Sequence, residues 1–78
     1  MASDNSLRLQ IINLLAEEVG ILAEIIFDEV LEEMGIVDAE LSRVWAGKFI
    51  RVLDKKLPED ISQRQHIMRE IGALLIKT

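Results

Sequence analysis

Hydrophobic residues recur every three or four positions along most of this chain, which is the period of an α-helix. The first and longest stripe contains Leu7, Ile11, Leu15, Val19, Leu22, Ile26, Val30 and Met34. It predicts one helix of about 28 residues, roughly 42 Å long at 1.5 Å per residue. Gly20 lies inside the stripe, where a glycine indicates either a close helix crossing or a break into two helices. The unbroken stripe favours the continuous helix.

Two further stripes follow, each bounded by residues that begin or end helices. Gly35 is placed to end the first helix and Asp38 to cap the second. The second helix is expected to reach about Lys56, with inward positions at Leu41, Val44, Trp45, Phe49, Val52 and Leu53. Pro58 disfavours helix at the residue before it, so the chain turns there. The last helix is expected from Asp60 or Ser62, with an apolar face at Ile67, Met68, Ile71, Leu74 and Leu75 and with Gly72 leaving room for a close neighbour.

These helices can bury their stripes only by packing together, which predicts an all-α fold. The expected architecture is a small bundle of three helices, or of four if the first breaks at Gly20. Residues 1–78 form one domain, with residues 1–6 as a flexible N-terminus. At 78 residues, of which 50% are hydrophobic, the chain has more aliphatic surface than so small a body can hide. We therefore expect dimerisation to complete the bundle.

The charges divide the chain into an acidic and a basic part. Residues 1–40 hold ten acids against one base, Arg8, whereas residues 41–78 hold four acids against eight bases. A basic face is expected on the second helix, on the side away from Trp45 and Phe49; it comprises Arg43, Lys48, Arg51 and Lys55. It could meet an acidic face at Glu17, Glu24, Asp28 and Glu32. Two unrelated solvated faces are the alternative interpretation.

Composition argues against most kinds of chemistry. The chain has no cysteine and one histidine, His66, so the usual zinc and iron–sulfur ligands are missing. The helical acids lack the histidine that ferritin-like metal sites add. There is no Ser, His and Asp triad pattern and no glycine-rich phosphate loop. We expect no enzymatic activity, no cofactor and no metal, and we interpret His66 as a partly exposed structural residue.

The distribution of apolar and charged residues bears on location and partners. Acidic residues interrupt every long apolar run, and no basic segment followed by an apolar core opens the chain, so neither a membrane span nor a signal peptide is expected. A cytoplasmic protein without membrane contact follows. A net charge of −5 also disfavours nucleic acid as the main partner.

Surplus aliphatic surface and charge asymmetry together predict a non-enzymatic interaction or oligomerisation module. The chain is expected to form a homodimer or higher homo-oligomer, and to bind another protein as a further option. The candidate partner-binding residues are Leu22, Ile25, Ile26 and Val30 for affinity, with Arg43, Lys48, Arg51 and Lys55 for orientation. Gly20 and Ala23 could place a two-fold axis on the first helix or pack against the last helix of the same chain.

One residue and one segment carry alternative interpretations. Trp45 could anchor a partner, but its spacing with Leu41 and Phe49 favours the core. The last helix could be the recognition helix of a small DNA-binding transcriptional regulator, which is the alternative function. The residues near its start that would read base edges are Gln63, Arg64, Gln65, His66 and Arg69.

One segment resembles a known family. The run Leu14-Leu15-Ala16-Glu17-Glu18-Val19-Gly20-Ile21-Leu22-Ala23-Glu24-Ile25-Ile26 is similar to the opening of a small helical domain found at the ends of bacterial, notably cyanobacterial, signalling proteins. The shared features are two aliphatics and an alanine, then a glycine, a second alanine and more aliphatics. The family commonly has a proline after the glycine, where this chain has Ile21. The resemblance implies an interaction module in bacterial signalling, with no active site to transfer.

Overall fold

A computed structural model of the chain describes residues 3–77, with side chains described from residue 7 onward, and this part of the chain is helical without strands. Four α-helices are present in it: α1 (Ser3–Val19), α2 (Leu22–Met34), α3 (Ala46–Lys56) and α4 (Arg64–Lys77). Two short 3₁₀ turns, Asp38–Glu40 and Arg43–Trp45, link α2 to α3. The all-α prediction is confirmed. Residues 3–6 of the expected flexible N-terminus belong to α1, whereas Met1 and Ala2 lie outside the described residues.

Gly20 ends the first helix, so the prediction of one continuous helix was wrong and the four-helix alternative was right. Its backbone adopts a left-handed conformation with φ +62°. Most residues with a Cβ atom, alanine among them, would lose about 1–2 kcal/mol in that conformation. A Cβ placed on Gly20 would meet no atom within 4 Å, so the glycine is needed for its backbone angle and not for a close helix crossing. The chain turns back, and α2 packs against α1.

The turn changes which positions of the first stripe face the core. In α1 the inward residues are Ile11 and Leu15, as the stripe predicts. In α2 the inward positions begin at Ala23 and leave Leu22 outside. The buried residues of α2 are Ala23, Ile26, Phe27, Val30, Leu31 and Met34. Gly35 then ends α2 as predicted, with φ +76° and its N–H donating to the carbonyls of Leu31 and Glu32.

The segment expected to open the second helix forms the two 3₁₀ turns instead. Asp38 does not cap an α-helix; it begins the first turn, where the N–H of Val37 donates to Glu40 Oε1 at 3.0 Å. The three-residue period of these turns differs from the α-helical period used for the prediction. Val44, expected inside, is therefore 81% exposed. α3 proper begins at Ala46, and α4 begins at Arg64, two to four residues later than expected.

The core lies where all four helices meet. α2 packs on α1 and α3, and α4 packs on α1 and α3. The rings of Phe27 and Phe49 stand at its centre, with centroids 5.8 Å apart and planes tilted by 53°, a favourable aromatic arrangement. The predicted inward residues of the last two helices are buried at Leu41, Phe49, Val52, Leu53, Ile67, Ile71 and Leu75. Trp45 is half-buried and packs against this core, as predicted.

Two glycines give opposite predictions for stability. Replacing Gly20 by alanine should lower the free energy of unfolding by about 1–2 kcal/mol, because alanine cannot adopt the left-handed angle without strain. Gly72→Ala should raise it by about 0.5–1 kcal/mol, because Gly72 lies within α4 and alanine favours helix. A Cβ at Gly72 would meet nothing within 4 Å, which also corrects the expectation of a close neighbour there. Urea unfolding followed by circular dichroism measures both; equal effects of the two substitutions would contradict the assignment.

Candidate interaction surfaces

A cluster of exposed aliphatic side chains lies where the chain turns from α1 into α2. Ile21 is 93% exposed, Ile25 is 54% exposed and Leu22 is 47% exposed. Leu22 and Ile25 are three residues apart on α2 and are therefore surface neighbours, and Ile21 immediately precedes that helix. We call these three residues the apolar patch. Single exposed aliphatics are ordinary in proteins, whereas a contiguous group of them is typical of a contact site.

Two of the predicted partner-binding residues lie elsewhere. Ile26 is 7% exposed and Val30 is fully buried, and both belong to the core of the single chain. They were chosen together with Leu22 because a continuous helix would place them all on one stripe. After the turn at Gly20, Leu22 and Ile25 face away from the core while Ile26 and Val30 face into it. A partner-binding surface on α2 must therefore be formed by Leu22 and Ile25.

Arg8 forms salt bridges with two of the four residues of the predicted acidic face, Glu24 and Asp28. Its guanidinium bridges α1 to α2 and to the first 3₁₀ turn, at 3.1 Å from Glu24, 3.1 Å from Asp28 and 3.5 Å from Asp38. The same group lies 5.1 Å from the ring centroid of Phe27, within cation–π range. Burial acts to lower the pKa of Arg8, but hydrogen bonds and charge attraction from Asp28, Glu24 and Asp38 raise it overall. Arg8 therefore remains fully charged and anchors α1 to α2.

The basic face of α3 is exposed and partly assembled. Lys48, Arg51 and Lys55 line a shallow groove of about 430 Å³ together with Glu33 and Val52. Arg43, expected on the same face, is exposed in the second 3₁₀ turn and does not line this groove.

Neighbouring contacts modify this face at two points. The ammonium group of Lys48 lies 5.9 Å from the ring centroid of Trp45, so the face does not point away from Trp45 as expected. Glu33 pairs with Lys56 at 3.1 Å, the ion pair that joins α2 to α3. Within the described residues, Arg51 and Lys55 form no salt bridge.

Arg64 has a structural role that the sequence did not reveal. Its guanidinium donates to the carbonyl oxygens of Asp54, Leu57 and Pro58 at 2.9, 3.0 and 2.7 Å, and to the Asp54 carboxylate at 2.6 Å. These carbonyls belong to the end of α3 and the turn after it, where helical partners are missing. Arg64 thus fastens the start of α4 to the end of α3. Its spacing from Pro58 gives no recognisable signal for such a contact.

This role changes how the last helix could meet DNA. Of the five residues proposed to read base edges, Arg64 is occupied by the contacts just described. Gln63, Gln65, His66 and Arg69 are exposed. The start of α4 also follows Glu59 and Asp60, which would lie close to phosphates. The face that remains for a groove contact is therefore mixed in charge.

In residues 7–77, whose side chains the structure describes, no group of three or more His, Cys, Asp or Glu side chains is placed to hold a metal ion. Nor does any helix within residues 3–77 combine the length and the apolar character needed to cross a bilayer. Comparisons with protein families, with curated proteins and with solved structures found no match to this chain.

Removing the Arg64 side-chain charge should destabilise the fold measurably. We expect Arg64→Met to lower the free energy of unfolding by about 1–2 kcal/mol, because carbonyls at the end of α3 lose their charged donor. Arg69→Met, on the same helix and exposed, is the matched control and should change it by less than about 0.5 kcal/mol. Urea titration of both variants makes the comparison. Similar losses for the two would show that Arg64 holds nothing in place.

Proposed function

We propose that this chain is a small, non-enzymatic interaction module that associates with further copies of itself through the apolar patch. The observation that carries the proposal is the exposure of Ile21, Leu22 and Ile25 next to one another, in a chain whose other large aliphatics on α2 are buried. A homodimer or higher homo-oligomer is the proposed assembly, and an adaptor or regulatory role follows from it. Another protein carrying a similar surface is a further partner within the same proposal.

Hydrophobic burial is proposed to supply the affinity. At about 25 cal/mol per Å² of apolar surface, a contact of several hundred Å² contributes several kcal/mol. Exposed ion pairs contribute about 0–1 kcal/mol each, so they cannot replace it. The basic residues Lys48, Arg51 and Lys55 and the acids of α2 are proposed to choose orientation and to speed encounter. Arg43 belongs to the same basic half and is proposed to act only through long-range attraction.

The proposed setting is the bacterial cytoplasm, in signalling. This part of the proposal is supported by the resemblance of residues 14–26 to a domain of bacterial signalling proteins, and by the absence of cysteine. The second candidate function is a DNA-binding regulator that uses the last helix. It is favoured by the two exposed arginines Arg51 and Arg69, which leave positive charge between α3 and α4.

Placing a charge in the apolar patch should abolish self-association while the chain stays folded. We expect Leu22→Asp and Ile25→Asp to shift sedimentation equilibrium toward the single chain at concentrations where the unchanged chain is a dimer or larger. The physical reason is that an aspartate buried without a partner in the contact is costly. Both positions lie in the first turns of α2, where an added acid suits the helix dipole.

The control for this experiment is Ile76→Asp. Ile76 is 63% exposed on α4 and lies outside the apolar patch, so its substitution should leave association unchanged. Ile26→Asp is unsuitable because Ile26 is in the core. The proposal is wrong if the unchanged chain stays monomeric up to millimolar concentration. Binding to duplex DNA that collapses as salt rises, and that Arg69→Ala abolishes, would favour the second candidate.

A further inference from the structure

A groove between α3 and α4 combines an apolar floor with a basic rim. It has a volume of about 580 Å³. Ile50 and Met68, both half-buried, form the apolar part, and Gly47 leaves one side without a side chain. Arg51 and Arg69 stand at the rim, exposed, and neither takes part in a salt bridge within residues 7–77. The groove thus offers contact to aliphatic groups and to carboxylates together.

The one acid of this groove is already neutralised. Asp54 lines it, but its carboxylate accepts a hydrogen bond from Arg64 at 2.6 Å. Gln65, the remaining polar group of the lining, is uncharged. The positive charge of Arg51 and Arg69 is therefore not cancelled within the groove. A ligand that fits must be acidic and must carry apolar side chains close to its acids.

The outer face of α2 has this combination. Leu22, Ile25, Glu29 and Glu32 follow one another at spacings of three, four and three residues, which places them on a single helical face. All four are exposed. We call them the α2 stripe. It begins with the two aliphatics of the apolar patch and ends with two carboxylates.

The neighbouring acids of α2 form ion pairs within the chain, on either side of the α2 stripe. Glu24 and Asp28 pair with Arg8 on the α1 side of the helix, and Glu33 pairs with Lys56 on the α3 side. Glu29 and Glu32 lie between these two sides, and no salt bridge of the described residues includes either. The α2 stripe therefore carries uncommitted negative charge next to exposed aliphatic surface.

We propose that the α2 stripe of one copy docks in the α3–α4 groove of a second copy. Leu22 and Ile25 cover Ile50 and Met68, and the carboxylates of Glu29 and Glu32 meet Arg51 and Arg69. This is a helix-in-groove contact, in which residues at helical spacing on one copy contact the groove of the other. The inference rests on the proposed function and names the surface that receives the apolar patch.

Charge complementarity favours this contact over pairing of two patches. Residues 1–40 hold ten acids and one base, so stacking two α2 helices would bring the acidic halves of both copies together. Like charges across an interface cost free energy and slow encounter. Docking in the groove instead joins the acidic half of one copy to the basic half of the next. Because the two surfaces differ, the contact closes only when it is made reciprocally or around a ring.

A mixing experiment tests the proposal with two variants. The stripe variant, Ile25→Asp, has a defective stripe and an intact groove, and the groove variant, Arg51→Glu with Arg69→Glu, has the opposite defect. For each variant alone, the dissociation constant for self-association should rise by at least about tenfold. Mixed in equal amounts, they should form a 1:1 complex, because one intact stripe and one intact groove remain. Sedimentation equilibrium with one variant fluorescently labelled measures this, after circular dichroism has shown that both variants are folded.

Charge reversal on both sides provides an independent measurement. A copy with Glu29→Lys and Glu32→Lys should fail to associate with itself. A copy that carries these two changes together with Arg51→Glu and Arg69→Glu should associate with itself again, because its new lysines meet the new acids of the next copy. Lys77→Glu reverses an exposed base of α4 that does not line the groove and is the control for the groove variant. It should leave association nearly unchanged.

Other outcomes overturn the proposal in distinguishable ways. If the groove variant associates as the unchanged chain does, while Ile25→Asp does not, the patch is used but the groove is not, and only this inference fails. If the unchanged chain never associates, the proposed function fails with it. If the groove variant loses binding to duplex DNA instead, with association unaffected, the groove serves a nucleic acid and the inference is wrong.

Discussion

The left-handed backbone at Gly20 is the constraint from which the arrangement of the other elements follows. With φ at +62°, the chain reverses between α1 and α2 instead of continuing as one helix. The reversal brings Arg8 within reach of Glu24 and Asp28, and it lets Phe27 meet Phe49 at the centre of the core. On a continuous helix, the first apolar stripe would need a second chain to cover it. In the folded chain, most of this stripe is buried within the chain itself.

The same turn decides which aliphatic surface is left for partners. A continuous helix would have exposed Ile26 and Val30 along its length, whereas the folded chain buries both. Seven large hydrophobic residues of the described chain stay exposed, and three of them, Ile21, Leu22 and Ile25, lie beside the turn. The surplus of hydrophobic residues is therefore resolved mostly within the chain. The proposed self-association therefore uses a local patch and not a general surplus of hydrophobic residues.

The charged residues likewise divide into those that form contacts within the chain and those that do not. Arg8, Lys56 and Arg64 act inside the chain, each fastening one element to the next. Arg51, Arg69, Glu29 and Glu32 have no such task in the part of the chain that the structure describes. Since paired charges on a surface are largely neutral to an approaching molecule, the unpaired ones determine what the surface attracts. Eight charged residues thus form salt bridges within the described residues, and the charges of the α2 stripe and of the groove rim are among those that do not.

The sequence by itself determined the helical fold and most core positions of α1, α3 and α4 through periodicity, and the end of α2 through the glycine at position 35. These depend on spacing along one helix, which is a local property. Tertiary structure alone decided the break at Gly20, the exposure of Val44 and the contacts of Arg64. A glycine is compatible with both a helix and a left-handed turn, and an arginine reaches acceptors six to ten residues away only when the chain has folded back. Such choices depend on which distant segments pack together, and the order of residues does not state that directly.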